Sequence, residues 1–198
     1  CWGSNKGGML GPPLEIGTNI LSNGYFTETV FTPVQRPDLS NVSQMSLGNG
    51  DYSLAVTNDG YVYFSGEVYA GGGDKTSLLW IDQESYSEEW IYPAVQLSFL
   101  SNIKKVDSNN NNACALDEEG TLRCWGYFIN DEKFGLEQDG LLTPFTGKVL
   151  DFALTRSGEN VCAIVEEEGV QCIGDYEITG VFPFGSYSES VTIQFNQP

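Results

Sequence analysis

The stretch NACALDEEGTLRCWG, Asn112 to Gly126, reads as a β-hairpin. An apolar run leads into an acidic turn, Gly120 supplies the conformational freedom a tight turn needs, and a second run ends in Cys-Trp-Gly. With the turn centred on Glu118 and Glu119, Cys114 and Cys124 face each other across the ladder. The unit recurs. Tyr52 to Gly66 reads YSLAVTNDGYVYFSG, and Asn160 to Gly174 reads NVCAIVEEEGVQCIG with a turn that differs by one residue. The opening CWGSNKGGMLG matches the tail of a further copy. Laid over one another, Leu54, Cys114 and Cys162 coincide, as do Cys1, Phe64, Cys124 and Cys172. Self-similarity of this kind is the signature of an all-β repeat protein.

The two cysteine pairs have identical spacing and facing positions, which predicts the disulfides Cys114–Cys124 and Cys162–Cys172. Leu54 and Phe64 replace the pair in the earlier copy, as a buried cross-strand contact requires. Each short loop closed adds about 2.5–3 kcal/mol in the chain-entropy view. Buried reduced thiols are the alternative. A zinc site is disfavoured, because the chain has no histidine and no close Cys-x-x-Cys. Disulfides place the chain in an oxidising compartment, extracellular or at the cell surface.

The motifs Ser53-Leu54-Ala55-Val56 with Asp59-Gly60, Cys114-Ala115-Leu116 with Gly120, and Trp2-Gly3-Ser4-Asn5 with Gly8-Met9-Leu10-Gly11 resemble the regulator-of-chromosome-condensation repeat family. The resemblance implies a β-propeller, of which this chain holds about three to four blades of an expected seven. Residues 1–198 then form one repeat domain. It comprises a blade tail at 1–11, hairpins at 42–66, 103–126 and 149–174, and a divergent strand region at 175–198. Gly3, Gly60, Gly66, Gly120, Gly126 and Gly174 are the repeat glycines. Further blades are expected from a longer parent chain, or from a second copy in a homodimer. Cys1 is unpaired in this reading, or paired with a cysteine upstream; N-terminal lipidation is the competing explanation. The nucleotide exchange and nucleosome docking known in the family rest on loops and a basic tail with no match here. Cysteine-paired copies look more like its extracellular members.

Composition narrows the function. The chain of 198 residues carries 27 acidic and 9 basic residues, a formal charge of −18. Lys104-Lys105 is its one adjacent basic pair. This disfavours nucleic acid and anionic membranes, and suits a basic protein partner. No run is long and apolar enough for a transmembrane segment. Without histidine, serine or cysteine catalysis lacks its usual base. A carbohydrate-active carboxylate pair is the weaker enzymatic alternative. No cofactor and no metal site is expected. Calcium at Asp107 and Asp117 beside the run Asn109 to Asn112 is a minor reading, since no calcium-loop pattern is present.

The longest connection, residues 67–101, carries Trp80, Tyr86, Trp90 and Tyr92 among acids. Exposed aromatics of this kind form protein-binding rims; packed beneath their own loop, they are merely structural. Asn41-Val42-Ser43 matches the N-glycosylation acceptor pattern. The expected function is a non-enzymatic extracellular module for protein interaction or adhesion, with a surface-assembly subunit as the alternative.

Overall fold

The computed structural model describes residues 3–4, 29–30, 33, 35–48, 52–67, 90–109, 112–126, 141, 143–155, 160–174 and 191–193. Every regular element among them is a strand. β1 (Gly3–Ser4) pairs with β2 (Thr29–Val30). The second blade is the sheet β3 (Val42–Leu47), β4 (Tyr52–Thr57), β5 (Val62–Glu67) and β6 (Trp90–Gln96). The third is β7 (Ile103–Ser108), β8 (Asn112–Asp117) and β9 (Leu122–Gly126). The fourth is β10 (Val149–Leu154), β11 (Asn160–Val165), β12 (Gly169–Gly174) and β13 (Val191–Ile193). Each sheet is an antiparallel meander in chain order.

The local reasons repeat from blade to blade. In β4 and β8 all six residues are buried, so both sheet faces are covered. Ala55, Ala113, Ala115 and Ala163 keep one face thin, which lets neighbouring sheets approach. Each first strand carries the same bulge, at Val42/Gln44, Ile103/Lys105 and Val149/Asp151. A bulge re-aims the side chain beside it. At the third-blade copy, for example, Ile103 opposes Asp117 whereas Lys105 opposes Leu116.

Leu54 opposes Phe64, Cys114 opposes Cys124 and Cys162 opposes Cys172 in equivalent registers. Both cysteine pairs are disulfides, each with Cα atoms 4.0 Å apart. Cys1 lies outside the described residues.

Blades are joined by a recurring set of contacts. Gln44 holds both backbone groups of Val106 in β7: its Nε2 donates to Val106 O and its Oε1 accepts from Val106 N, both at 2.8 Å. Lys105, at the same bulge position, donates to Phe152 O at 2.6 Å in the next blade. The Tyr52 hydroxyl reaches across to Asn109 O (2.5 Å) and Asn112 O (3.2 Å). Burial pushes that hydroxyl's pKa far above its ordinary value, so it stays a donor. Asn109 is a clamp: its Oδ1 accepts from Asn112 N, and its Nδ2 donates to Thr155 O.

The stretch read as the longest connection contains a strand. β6 pairs with β5 through Phe64↔Val95 and Gly66↔Ile91, with an irregularity between them. Pro93 falls in that irregular segment, where no ladder donor is required. Ala94 N donates instead to Asp38 Oδ2 at 3.0 Å.

Candidate functional site: the turn edge of the blades

The β4–β5, β8–β9 and β11–β12 turns are tied into one edge by backbone hydrogen bonds. Asn58 N donates to Asn41 O (2.8 Å), Ile103 N to Gly60 O (3.0 Å) and Glu118 N to Asn102 O (2.9 Å). Val149 N then donates to Gly120 O (2.8 Å), and Glu166 N to Lys148 O (2.8 Å). Each turn leans on the entry to its own first strand, and the β4–β5 and β8–β9 turns lean also on the first strand of the following blade. Asn41 and Asn102 adopt left-handed conformations, φ 58° and 56°, which asparagine tolerates.

Gly60 and Gly120 are required here on two counts. Their φ values are +79° and +94°, and each packs against the next blade. A Cβ on Gly60 would lie 2.9 Å from Asn102 Cα. In the fourth blade the pattern changes. Glu167 and Gly169 take the positive φ (63° and 85°), and Glu168 stands where Gly60 and Gly120 stand.

The edge is acidic and open to solvent. Asp59, Glu118, Glu119, Glu166, Glu167 and Glu168 are all exposed. Lys148 Nζ meets Glu166 Oε1 at 3.0 Å, with both groups half exposed, so that pair adds little. Asp117 holds its own turn instead: it accepts from Glu119 N (3.0 Å), Thr121 N (2.8 Å) and Arg123 Nη1 (2.8 Å). Asp107 belongs to a different set and accepts from Ser108 N (2.9 Å) and Leu154 N (3.0 Å). The two aspartates considered for calcium therefore sit at opposite ends of the β7–β8 ladder. No group of three or more His, Cys, Asp or Glu residues able to hold a metal occurs among the described residues.

The expected aromatic rim is only partly in view. Trp90 and Tyr92 lie in β6, a strand rather than a loop. Trp80 and Tyr86 lie outside the described residues. Of the repeat glycines, Gly3 lies in β1, while Gly126 and Gly174 end β9 and β12. Gly66, in β5, has φ 119°. The acidic edge was missed as a unit, although its turns were each legible.

Residues 103–132 match the Regulator of chromosome condensation (RCC1) repeat. The match covers β7 to β9 and the residues just after them. Solved structures share the chain's fold. Human WBSCR16 superposes with a TM-score of 0.56 at 20% identity, over 80% of this chain and 39% of that one. Saccharomyces cerevisiae Prp20p, described with its binding to Gsp1p and histones, gives 0.56 at 18% identity, over 92% and 47%. At these identities the likeness is one of fold: an all-β arc of RCC1-type propeller blades. The chain spans less than half the length of these structures. No curated protein sequence matches it.

Acid should loosen the blades. The Arg36 guanidinium holds the Asp38 carboxyl below the usual carboxylate range, and the Lys105 ammonium does the same for Asp151. Burial pushes Asp117 up, but its backbone donors and Arg123 outweigh that and leave it lowered. Folded values below unfolded ones mean stability that is present above the unfolded pKa and lost as pH falls through the folded values. The urea midpoint is expected to drop progressively below about pH 5. Asp117→Asn should be less stable at pH 6 and show a shallower acid slope.

Proposed function

We propose that this chain is a non-enzymatic protein-interaction or adhesion module that binds a basic partner along its acidic turn edge. One observation carries the reading: five backbone hydrogen bonds fix the exposed acidic turns of three successive blades in one continuous row. A rigid row of like charge with few local counter-charges favours complementary partners and speeds encounter. The fold is compatible with such a role, since Prp20p is described as binding other proteins. The two disulfides support an extracellular or cell-surface setting. Residues 1–198 act as one repeat domain in this reading.

The test compares two variants of equal charge. One neutralises the edge at Glu118, Glu119, Glu167 and Glu168 with glutamine. The other makes amides of Asp131, Glu132, Glu137 and Asp139, in the connection after β9. An arginine-rich peptide is the probe, titrated at low and high salt. Four exposed pairs at 0.2–1 kcal/mol each predict roughly ten-fold weaker binding for the edge variant, with the connection variant near wild type. Equal losses in both variants would reduce the effect to net charge.

A surface-assembly role is the second reading. Ile164 and Leu150 are exposed on the fourth blade at 45% and 47%, apolar surface of the kind that packing between copies would cover. Native mass measured across a concentration series checks it, growth with concentration being the expected result.

A further inference from the structure

Asn41-Val42-Ser43 is the one Asn-x-Ser/Thr acceptor pattern in the 198 residues, and the interaction reading does not account for it. Three residues are too few to carry a site, so the fold has to supply the rest. Asn41 stands at the entry to the second blade, directly before β3, and both Asn41 and Ser43 are exposed. Asn41 accepts twice from the β4–β5 turn: its O takes Asn58 N at 2.8 Å and its Oδ1 takes Asn58 Nδ2 at 2.7 Å. The second bond orients the carboxamide. Oδ1 faces the turn, and Nδ2 lies on the opposite side with no acceptor among the described residues. A sugar on Nδ2 leaves Oδ1 able to accept, so the Asn58 bond survives attachment. Ser43 falls at the bulge, between Val42, which opposes Thr57, and Gln44, which opposes Val56. It is the extra residue of that bulge, left out of the register.

This exposure does not depend on what precedes the second blade. Asn102 and Lys148 hold the same place at the entries to the third and fourth blades, where a preceding blade is present. There the preceding turn bonds the main chain, through Ile103 N to Gly60 O and Val149 N to Gly120 O. Asn102 and Lys148 nevertheless remain exposed. A preceding blade therefore takes the main chain at this position and leaves the side chain in water. Asn102 also shares the backbone conformation of Asn41, φ 56° against 58°. It is followed by Ile103 and Lys104, so it lacks only the hydroxyl two residues on.

We propose that Asn41 is an attachment site for an N-linked oligosaccharide, at a blade-entry position that accepts one with a preceding blade in place. The donor is a polyprenyl-diphosphate oligosaccharide, supplied with its transferase by a eukaryotic secretory compartment. Asn41 Nδ2 forms a bond to the anomeric carbon of the first sugar. The bond from that carbon to the diphosphate oxygen breaks, and the polyprenyl diphosphate leaves with the electron pair. Nδ2 gives up one proton, and nothing is oxidised or reduced. The setting this needs rests on the extracellular reading above. A glycan is bulky and polar. Next to Asn58 and Asp59 it screens the second-blade turn, which confines a basic partner to the turns of the third and fourth blades.

The test secretes the full chain from a eukaryotic cell line. Peptide masses are read before and after enzymatic deglycosylation, which turns a glycosylated asparagine into aspartate. Asn41 is expected to carry glycan in most secreted molecules, and Ser43→Ala to abolish it. Lys104→Ser completes the pattern at Asn102 and should add a second glycan there. The glycosylated chain and the same chain after deglycosylation should share one urea midpoint with both disulfides formed, since attachment disturbs no packed atom. A secreted, disulfide-bonded chain with Asn41 bare would overturn the proposal. So would a midpoint that rises clearly once the glycan is removed, or a Lys104→Ser chain that gains no second glycan. Because the host supplies the compartment, a bare Asn41 counts against the site and not against the extracellular reading. The arginine-rich peptide is titrated on the same samples. A glycosylated chain that binds no peptide, before or after deglycosylation, upholds the site and places the failure in the interaction reading.

Discussion

Replacing Gly60 with alanine is expected to lower the unfolding free energy by about 2–6 kcal/mol. Two costs combine. The φ of +79° is one that an L side chain rarely adopts, a strain of order 1–3 kcal/mol. The new methyl would also meet Asn102 Cα at 2.9 Å, and Asn102 C and Ile103 N at 3.1 Å. These are backbone atoms of the next blade, so relief requires moving a strand, and overpacking of that kind costs about 1–3 kcal/mol. Separation would also weaken the 3.0 Å bond from Ile103 N to Gly60 O. Asp59→Ala, one residue away and exposed, is the control and should stay within about 0.5 kcal/mol of wild type. Chemical denaturation of both variants checks the difference. Gly120→Ala should fall between them, because a Lys148 side chain, which can swing aside, is the nearest obstacle there.

Asp38→Ala should cost about 3–5 kcal/mol, because it removes the carboxylate that faces a buried guanidinium. Arg36 Nε and Nη2 grip both carboxylate oxygens of Asp38, at 2.9 and 2.6 Å, with side-chain exposures of 4% and 9%. Arg36 Nη1 also donates to Ser65 Oγ at 3.1 Å, and Ser65 meets Ser53 at 2.9 Å. The third blade solves the same position with apolar groups. Leu39 N donates to Arg36 O just as Leu100 N donates to Leu97 O, which aligns Arg36 with Leu97 and Asp38 with Phe99. Trp125 stands where Ser65 stands, and Phe99 meets it edge-on at 5.8 Å. The combined variant Arg36→Leu, Asp38→Phe and Ser65→Trp is therefore expected to recover most of the loss. It should stop about 1 kcal/mol short, since Ala94 N loses its acceptor. Thermal melts of wild type and both variants decide it; a triple variant no better than Asp38→Ala would refute the equivalence.

The hairpins were legible in the sequence because their constraint is local. A fixed spacing across one turn sets the register, and a cysteine pair, or Leu54 with Phe64, marks the facing positions. The entry to each blade was legible in principle but passed over: Leu39-Ser40-Asn41-Val42 and Leu100-Ser101-Asn102-Ile103 repeat almost letter for letter. Strand β6 was hidden by Pro93, which reads as a connection unless the ladder's irregularity is known. The Arg36 and Asp38 site was not legible at all, since an ion pair and two serines occupy space that aromatics fill one blade later. The acidic edge needed the junctions. Each turn alone is an ordinary solvated loop, and only the bonds through Gly60 and Gly120 place the turns in a row.

Those junctions also separate architecture from chain length. The step from Leu54 to Cys114 is longer than that from Cys114 to Cys162, yet both junctions close with the same turn-to-strand bond. Closure entropy grows only logarithmically, so a connection a dozen residues longer or shorter changes stability by a few tenths of a kcal/mol, roughly. The blades are therefore insulated from what is threaded between them. Insertions and deletions can accumulate after β5 and β9 while the frame stays fixed, and two chains with this frame can differ most in the segments that give each its individuality.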